Sequence, residues 1–318
     1  MTRFKIALLT CLSASLVLAL WLLPNRNTSS PLKEDADSLS EIAPEPYLED
    51  HAHEASSVAL VVREPVLQLC GQFEEGTIQS RREALKVLPE DLNEKELEAI
   101  YTEILERSQP EGIPSRPWHA FFNDVLNALV LEQETPVTEL PNCLMAIISD
   151  AQRHRVIRDY ALQHLLAFAE YRAEASDRIE LLESAWQGIA ETRDSYRGTY
   201  LVALSYKAGE SGWPDAESVS AKAWEVAASN DAHVLSRISA LQVCGKLGHQ
   251  EALPLALEIA GDTKAHMTLR TSAIATIGDL GLQNESDFLN ELAQRSPPRL
   301  QVAIQAALAR IDRKKGQA

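Results

Sequence analysis

The sequence predicts an all-α fold, an α-solenoid of antiparallel helix pairs, and three observations carry the prediction. The first is an internal phrase: Arg237-Ile-Ser-Ala-Leu-Gln-Val-Cys-Gly-Lys-Leu-Gly returns 33 residues later as Arg270-Thr-Ser-Ala-Ile-Ala-Thr-Ile-Gly-Asp-Leu-Gly. A third copy begins at Arg299, and Arg197 and Arg158 open earlier ones, so the arginines stand 39, 40, 33 and 29 residues apart. A recurrence of this length marks stacked supersecondary units, none able to bury its apolar face alone. The second is composition: 45 % hydrophobic but only 6 % aromatic, with Ala and Leu prominent, which favours helices packed through small and branched aliphatic residues. The third is punctuation: short Gly, Pro and Ser-Asn-Asp breakers separate helix-length segments, so neighbouring helices form antiparallel hairpins.

In chain order, residues 1–24 read as a signal-anchor or signal peptide. Arg3 and Lys5 precede an apolar run, Ile6 to Leu23, 18 residues long and free of charge. Such a run is long enough to span a bilayer, and the positive flank favours an exported remainder. No Ala-x-Ala cleavage site follows, so an uncleaved anchor is preferred to a cleaved signal, with a lipoprotein signal at Leu8-Leu9-Thr10-Cys11 behind both. Residues 25–55, rich in Ser, Pro, Asp and Glu, lack periodicity and read as a disordered acidic tether. His51 and His53 within it are taken as incidental polarity.

Residues 56–150 form a helical part with divergent repeats. Val58 to Val62, Val66 to Leu69 and Ala84 to Leu88 supply apolar faces. Asn93 is an N-cap for a helix carrying Leu97, Ile100, Tyr101, Ile104 and Leu105 on one stripe. Ser108 to Pro117 is a loop and Trp118 to Leu131 a strongly apolar helix. Pro136 and Pro141 delimit another loop before Cys143 to Ser149. Residues 151–315 hold the regular repeats, as helices at Arg153–Glu170, Arg178–Thr192, Ser195–Lys207, Ala216–Ala228, Val234–Leu247, Ala252–Ala260, Leu269–Leu280, Asp287–Gln294 and Arg299–Arg313.

These copies resemble HEAT-like repeats, the short kind named for phycobilisome lyases, through Arg237, Ala240, Leu241, Gly245, Leu247 and Gly248, then Arg270, Ala273, Ile274, Gly278, Leu280 and Gly281. The resemblance is clearest over 230–312, extends over 150–230 and thins over 56–150. It implies a HEAT-like or armadillo-type superhelix, with outer and inner helices and a role in protein binding or scaffolding. A few members of such families act on bilins or hold iron. The resemblance also implies that the arginine ladder, Arg158, Arg197, Arg237, Arg270 and Arg299, pairs with neighbouring acids, Asp231 for Arg237, or contacts a partner. The Ala three residues after Arg158, Arg237 and Arg270 serves close helix approach. Tyr200 breaks that rule, so packing there differs or the tyrosine protrudes.

The formal charge is −16, and because residues 1–30 hold three basic residues and no acid, residues 31–318 carry −19. A surface this acidic repels phosphate backbones, so no nucleic-acid partner is expected. Cys70, Cys143 and Cys244 have no metal or disulfide spacing and are expected as apolar thiols. No His-Glu-x-x-His, Gly-x-Ser-x-Gly, phosphate loop or dinucleotide fingerprint occurs. HEAT-like iron hydroxylases repeat His-Glu dipeptides, and here His53-Glu54 alone matches. Trp118-His119 and Tyr160/His164 are read as core groups rather than a pocket. The expectation is therefore a non-enzymatic scaffold, tethered to the membrane outside the cytoplasm and binding another protein, with no catalytic, cofactor or metal residues. The alternative is an enzyme or enzyme accessory holding a small ligand, chromophore or metal on the same architecture.

Overall fold

The computed structural model describes residues 61–107, 109, 113–134, 138–190 and 194–316. Among them every regular element is helical: α1 (Glu64–Glu75), α2 (Ile78–Lys86), α3 (Glu94–Ile100), α4 (Ser115–Leu131), α5 (Leu140–Ser149), α6 (Arg155–Tyr171), α7 (Ala175–Ala190), α8 (Tyr196–Ser205), α9 (Ala216–Ala228), α10 (Val234–Leu247), α11 (Ala252–Gly261), α12 (Met267–Leu280), α13 (Gln283–Gln294) and α14 (Pro298–Lys315), with a π turn, Tyr101–Leu105, after α3. The proposed anchor, the tether and His51, His53 and Glu54 lie outside the described residues. No described helix is long and apolar enough to cross a membrane.

Local chemistry explains the ends. The Asn93 side chain accepts from Glu96 N at 3.1 Å while Glu96 accepts from Asn93 N at 3.0 Å, a capping box that starts α3. The stripe from Leu97 to Leu105 does not run as one α-helix, because the last turn widens and Glu106 N reaches Tyr101 O at 2.7 Å. Pro141 does not delimit a loop; it sits in the first turn of α5, where its missing N–H costs nothing. Helix α13 starts at Gln283, four residues ahead of the expected Asp287, since Glu285 takes the free Leu282 N–H at 2.6 Å. Residues 61–63 lead into α1 without forming a helix of their own.

Helices α8, α10, α12 and α14 pack in succession, with α9, α11 and α13 laid against them; α4 and α6 make a similar pair flanked by α5. Ala240, Ala273 and Ala307 are fully buried in this row. Glycine closes it further: a Cβ at Gly198 would meet Ser236 Cα at 2.8 Å. Hydroxyls then bridge consecutive helices, Ser236 to Asp194 O at 2.9 Å, Ser272 to Ile238 O at 2.8 Å and Thr276 to Leu241 O at 2.9 Å. Between α6 and α8 close backbone approaches are few. There Tyr196 and Tyr200, both buried, take the place of small residues. Tyr200 does not protrude: it stacks on Trp186 at 6.0 Å, and its hydroxyl donates to Leu182 O at 2.6 Å. The packing differs there because an aromatic wedge holds the helices apart.

Candidate functional site

The repeat arginines do not converge on one site. Three of them do one job: Arg158 Nε donates to Ile148 O at 2.7 Å, Arg237 Nε to Ala227 O at 3.1 Å, and Arg270 Nε and Nη2 to Ala260 O at 3.2 and 3.1 Å. Each acceptor is the penultimate residue of the preceding helix, α5, α9 or α11. The last carbonyls of a helix lack intrahelical donors and carry its negative end, so a guanidinium satisfies both needs. Arg237 therefore bonds a carbonyl, and among the described residues no ion pair joins it to Asp231. Arg158 alone pairs with an acid, Asp194. Arg299 is exposed, and Gln301 Nε2 reaches the penultimate carbonyl of α13 instead, Ala293 O at 3.4 Å, while also donating to Ser296 O beyond the helix at 2.9 Å. Arg197 Nε is buried and has no hydrogen-bond partner.

A second column, four residues ahead of Arg158, Arg237 and Arg270, consists of His154, His233 and His266, the N-caps of α6, α10 and α12. His154 Nδ1 accepts from Val156 N and His233 Nδ1 from Leu235 N, both at 3.2 Å. An imidazole whose Nδ1 accepts a backbone N–H carries its proton on Nε2, so each presents an Nε2–H donor. The periodic spacing from the arginines is the signal that reveals this column. Histidine is easily passed over as a cap because Ser, Thr, Asp and Asn dominate that position.

His154 belongs to a cavity of about 280 Å³ between the start of α4 and the loop that enters α6. Its floor is apolar, built from Trp118, Phe122 and Ile157. Above it His119 and His154 lie ring to ring, with centroids 4.5 Å apart and planes at 37°. Arg153 assembles the site: its guanidinium donates to the Leu105 and Glu106 carbonyls, and its Nε meets Asp150 Oδ2 at 3.3 Å. It thus ties the end of the π turn to the loop before α6, and the turn delivers Glu106 and Arg107 to the cavity wall. Single π turns inside helices recur at functional sites.

Trp118 and His119 thus line a cavity, against the expectation of a purely core role. Burial, and secondarily the neighbouring His154, hold the His119 imidazole below its ordinary range, so it is neutral near pH 7. His164 is a core histidine as expected: Nε2 meets Asn123 Oδ1 at 3.1 Å, and burial pushes its pKa down to about 4. Burial raises the thiols of Cys70 and Cys143 to about 11, which leaves them protonated and weakly nucleophilic. Among the described residues no group of three or more His, Cys, Asp or Glu side chains is placed to hold a metal.

No protein-family model and no curated protein matches the chain. Among solved structures, human deoxyhypusine hydroxylase in complex with glycerol is matched at 14 % identity over 78 % of this chain and 96 % of that one, with a TM-score of 0.29. No residue of that protein is carried over to this chain at that score. That protein is an enzyme, but the match carries no argument here. The scaffold reading and the statement that the chain is not an enzyme are withdrawn because the structure opens a cavity with paired imidazoles where core packing was expected. The physical reason lies in the fold itself: a row of capped helices leaves polar clefts between helix starts, and one of these holds a pair of imidazoles.

Proposed function

We propose that the chain is a HEAT-like α-solenoid that works as an enzyme or enzyme accessory on a small ligand, with the α4/α6 cavity as its site and proton transfer as its chemistry. The His119–His154 pair over an apolar floor carries this reading. His119, neutral by burial, is suited to accept a proton. His154, its Nδ1 occupied by Val156 N–H, is suited to donate a hydrogen bond from Nε2 to an oxygen of the ligand, which orients it toward the base. A positioned general base is worth about 10²–10⁴ in rate. The ordered helix succession and the recurrent arginine and histidine caps support the solenoid.

The same proposal places the helical array outside the cytoplasm, with residues 1–24 as anchor and 25–55 as tether, supported by the uncharged apolar run from Ile6 to Leu23.

The test is a melting-shift screen of the full chain against small polar and aromatic molecules, repeated with His119→Gln and His154→Asn. Asparagine keeps an N-cap while removing the Nε2–H. Ligands that raise the melting temperature of the wild type should lose their effect in both variants. Turnover, where found, should fall about a hundredfold or more. Hits that bind both variants as well as the wild type would place the site elsewhere.

A further inference from the structure

A second cavity, about 230 Å³, lies between the starts of α8 and α10 and is lined by Asp194, Arg197, Ser229, Asp231, Ala232 and His233. Its position repeats that of the first. Counted back from Arg237, Ser229, Asp231, Ala232 and His233 hold the slots that Asp150, Gln152, Arg153 and His154 hold before Arg158, with Ser229 opposite Asp150. The charges differ, however. Arg197 is the repeat arginine released from helix capping: the residue ten positions back, Gln187, lies inside α7, three short of its end. Its Nε is buried with no hydrogen-bond partner, and no ion pair joins its guanidinium to a described carboxylate. Asp194 is already engaged, by the Arg158 guanidinium and by Tyr196 N at 2.8 Å. Asp231, exposed at the rim, has no ion pair among the described residues.

Among the described residues the cavity thus offers one half-buried guanidinium, one carboxylate at the mouth, and the His233 Nε2–H and Ser229. We infer that it is a binding site for a small zwitterion of the amino-acid class, the carboxylate held by Arg197 and the ammonium by Asp231. A simple anion would meet Asp231 and Asp194, and a simple cation would meet Arg197, so a molecule carrying both charges satisfies the site better than either half. A guanidinium and a carboxylate group make charge-assisted, often bidentate bonds that set the orientation. The inference is independent of the chemistry at the α4/α6 cavity.

The experiment is ligand-observed NMR titration of the full chain with three probes: glycine, acetate and ethylammonium. Glycine should bind saturably and at least about tenfold more tightly than either half-molecule, the equivalent of one charged hydrogen bond. Arg197→Gln should abolish glycine binding, and Asp231→Asn should reduce it to the level of acetate. Asp231 is exposed in a loop, so this variant reports on binding without a folding defect. His154→Asn, in the other cavity, should leave glycine binding unchanged. Absence of saturable glycine binding to the wild type, acetate binding as tightly as glycine, or glycine binding indifferent to Asp231→Asn would each overturn the inference.

Discussion

Replacing Gly278 with alanine probes the closest helix approach in the repeat row. A Cβ built there stands 2.7 Å from Ala307 Cα, 2.9 Å from Ala307 Cβ and 3.2 Å from Ala307 O. None of these atoms belongs to a flexible side chain, and Ala307 is fully buried, so relief requires α12 and α14 to move apart. Alanine in a helix interior gains about 0.5–1 kcal/mol over glycine. Overpacking a close-packed core costs about 1–3 kcal/mol. The net expectation for Gly278→Ala is a loss of about 1–2 kcal/mol, the upper part of the overpacking range governing because backbone is involved. Gly71 in α1 is the control: nothing lies within 4 Å of its virtual Cβ, so Gly71→Ala should gain about 0.5–1 kcal/mol. Adding Ala307→Gly to Gly278→Ala removes the 2.9 Å clash but leaves the 2.7 Å one, so rescue should be partial. Urea unfolding followed by far-UV circular dichroism measures the midpoints. Because repeat arrays unfold with limited cooperativity, hydrogen exchange should localise the loss to α12 and α14. A Gly278→Ala protein as stable as the wild type would refute the packing argument.

Two further outcomes follow from the same structure. Arg270, 6 % exposed, gives two hydrogen bonds to Ala260 O, so Arg270→Ala should cost about 1.5–3 kcal/mol, while Arg299→Ala at the exposed slot should change stability by less than about 0.5 kcal/mol. Equal losses in a urea titration would remove the capping role. Burial depresses the His164 pKa from 6.5 to about 4, so between those values the unfolded chain binds a proton that the folded chain does not. The stabilisation is therefore complete above pH 6.5 and disappears as pH falls through that window, by about 3 kcal/mol at most. His164→Gln should flatten this part of the stability profile; an unchanged profile would place the acid sensitivity elsewhere.

How far the sequence reveals the fold depends on whether local chemistry decides an end. Ala216–Ala228 and Val234–Leu247 are legible to the residue. Asp215 caps the first, accepting from Ser218 N at 2.7 Å, and Gly248 stops the second in the left-handed region at φ 78°. The π turn after Ile100 is not legible, because it ends the helix and no later apolar residue follows to register the ~100° change of phase. The α4/α6 cavity is half legible. Trp118 is 2 % exposed, and its sequence context announces that burial. The approach of the 150–154 loop, which turns the edge of that core into a cavity wall, depends on Arg153 reaching the Leu105 and Glu106 carbonyls more than 40 residues away. No short-range pattern contains that contact.

The repeat is most informative where it slips. In three units the penultimate carbonyl of the preceding helix stands ten residues before the arginine, at Ile148, Ala227 and Ala260. In the fourth, the residue ten before Arg197 is Gln187, which lies inside α7, three residues short of Ala190. Its carbonyl is therefore no helix end, and among the described residues the buried Nε of Arg197 has no hydrogen-bond partner. The same stretch brings Tyr196 and Tyr200 into the space that small residues fill elsewhere, with Arg158 stacked 4.3 Å over the Tyr196 ring and the Tyr196 hydroxyl donating to Arg158 O. One change of register thus accounts for both the wide α6/α8 spacing and the unpartnered arginine. An array that uses its arginines as caps yields a binding group where a helix end falls out of reach.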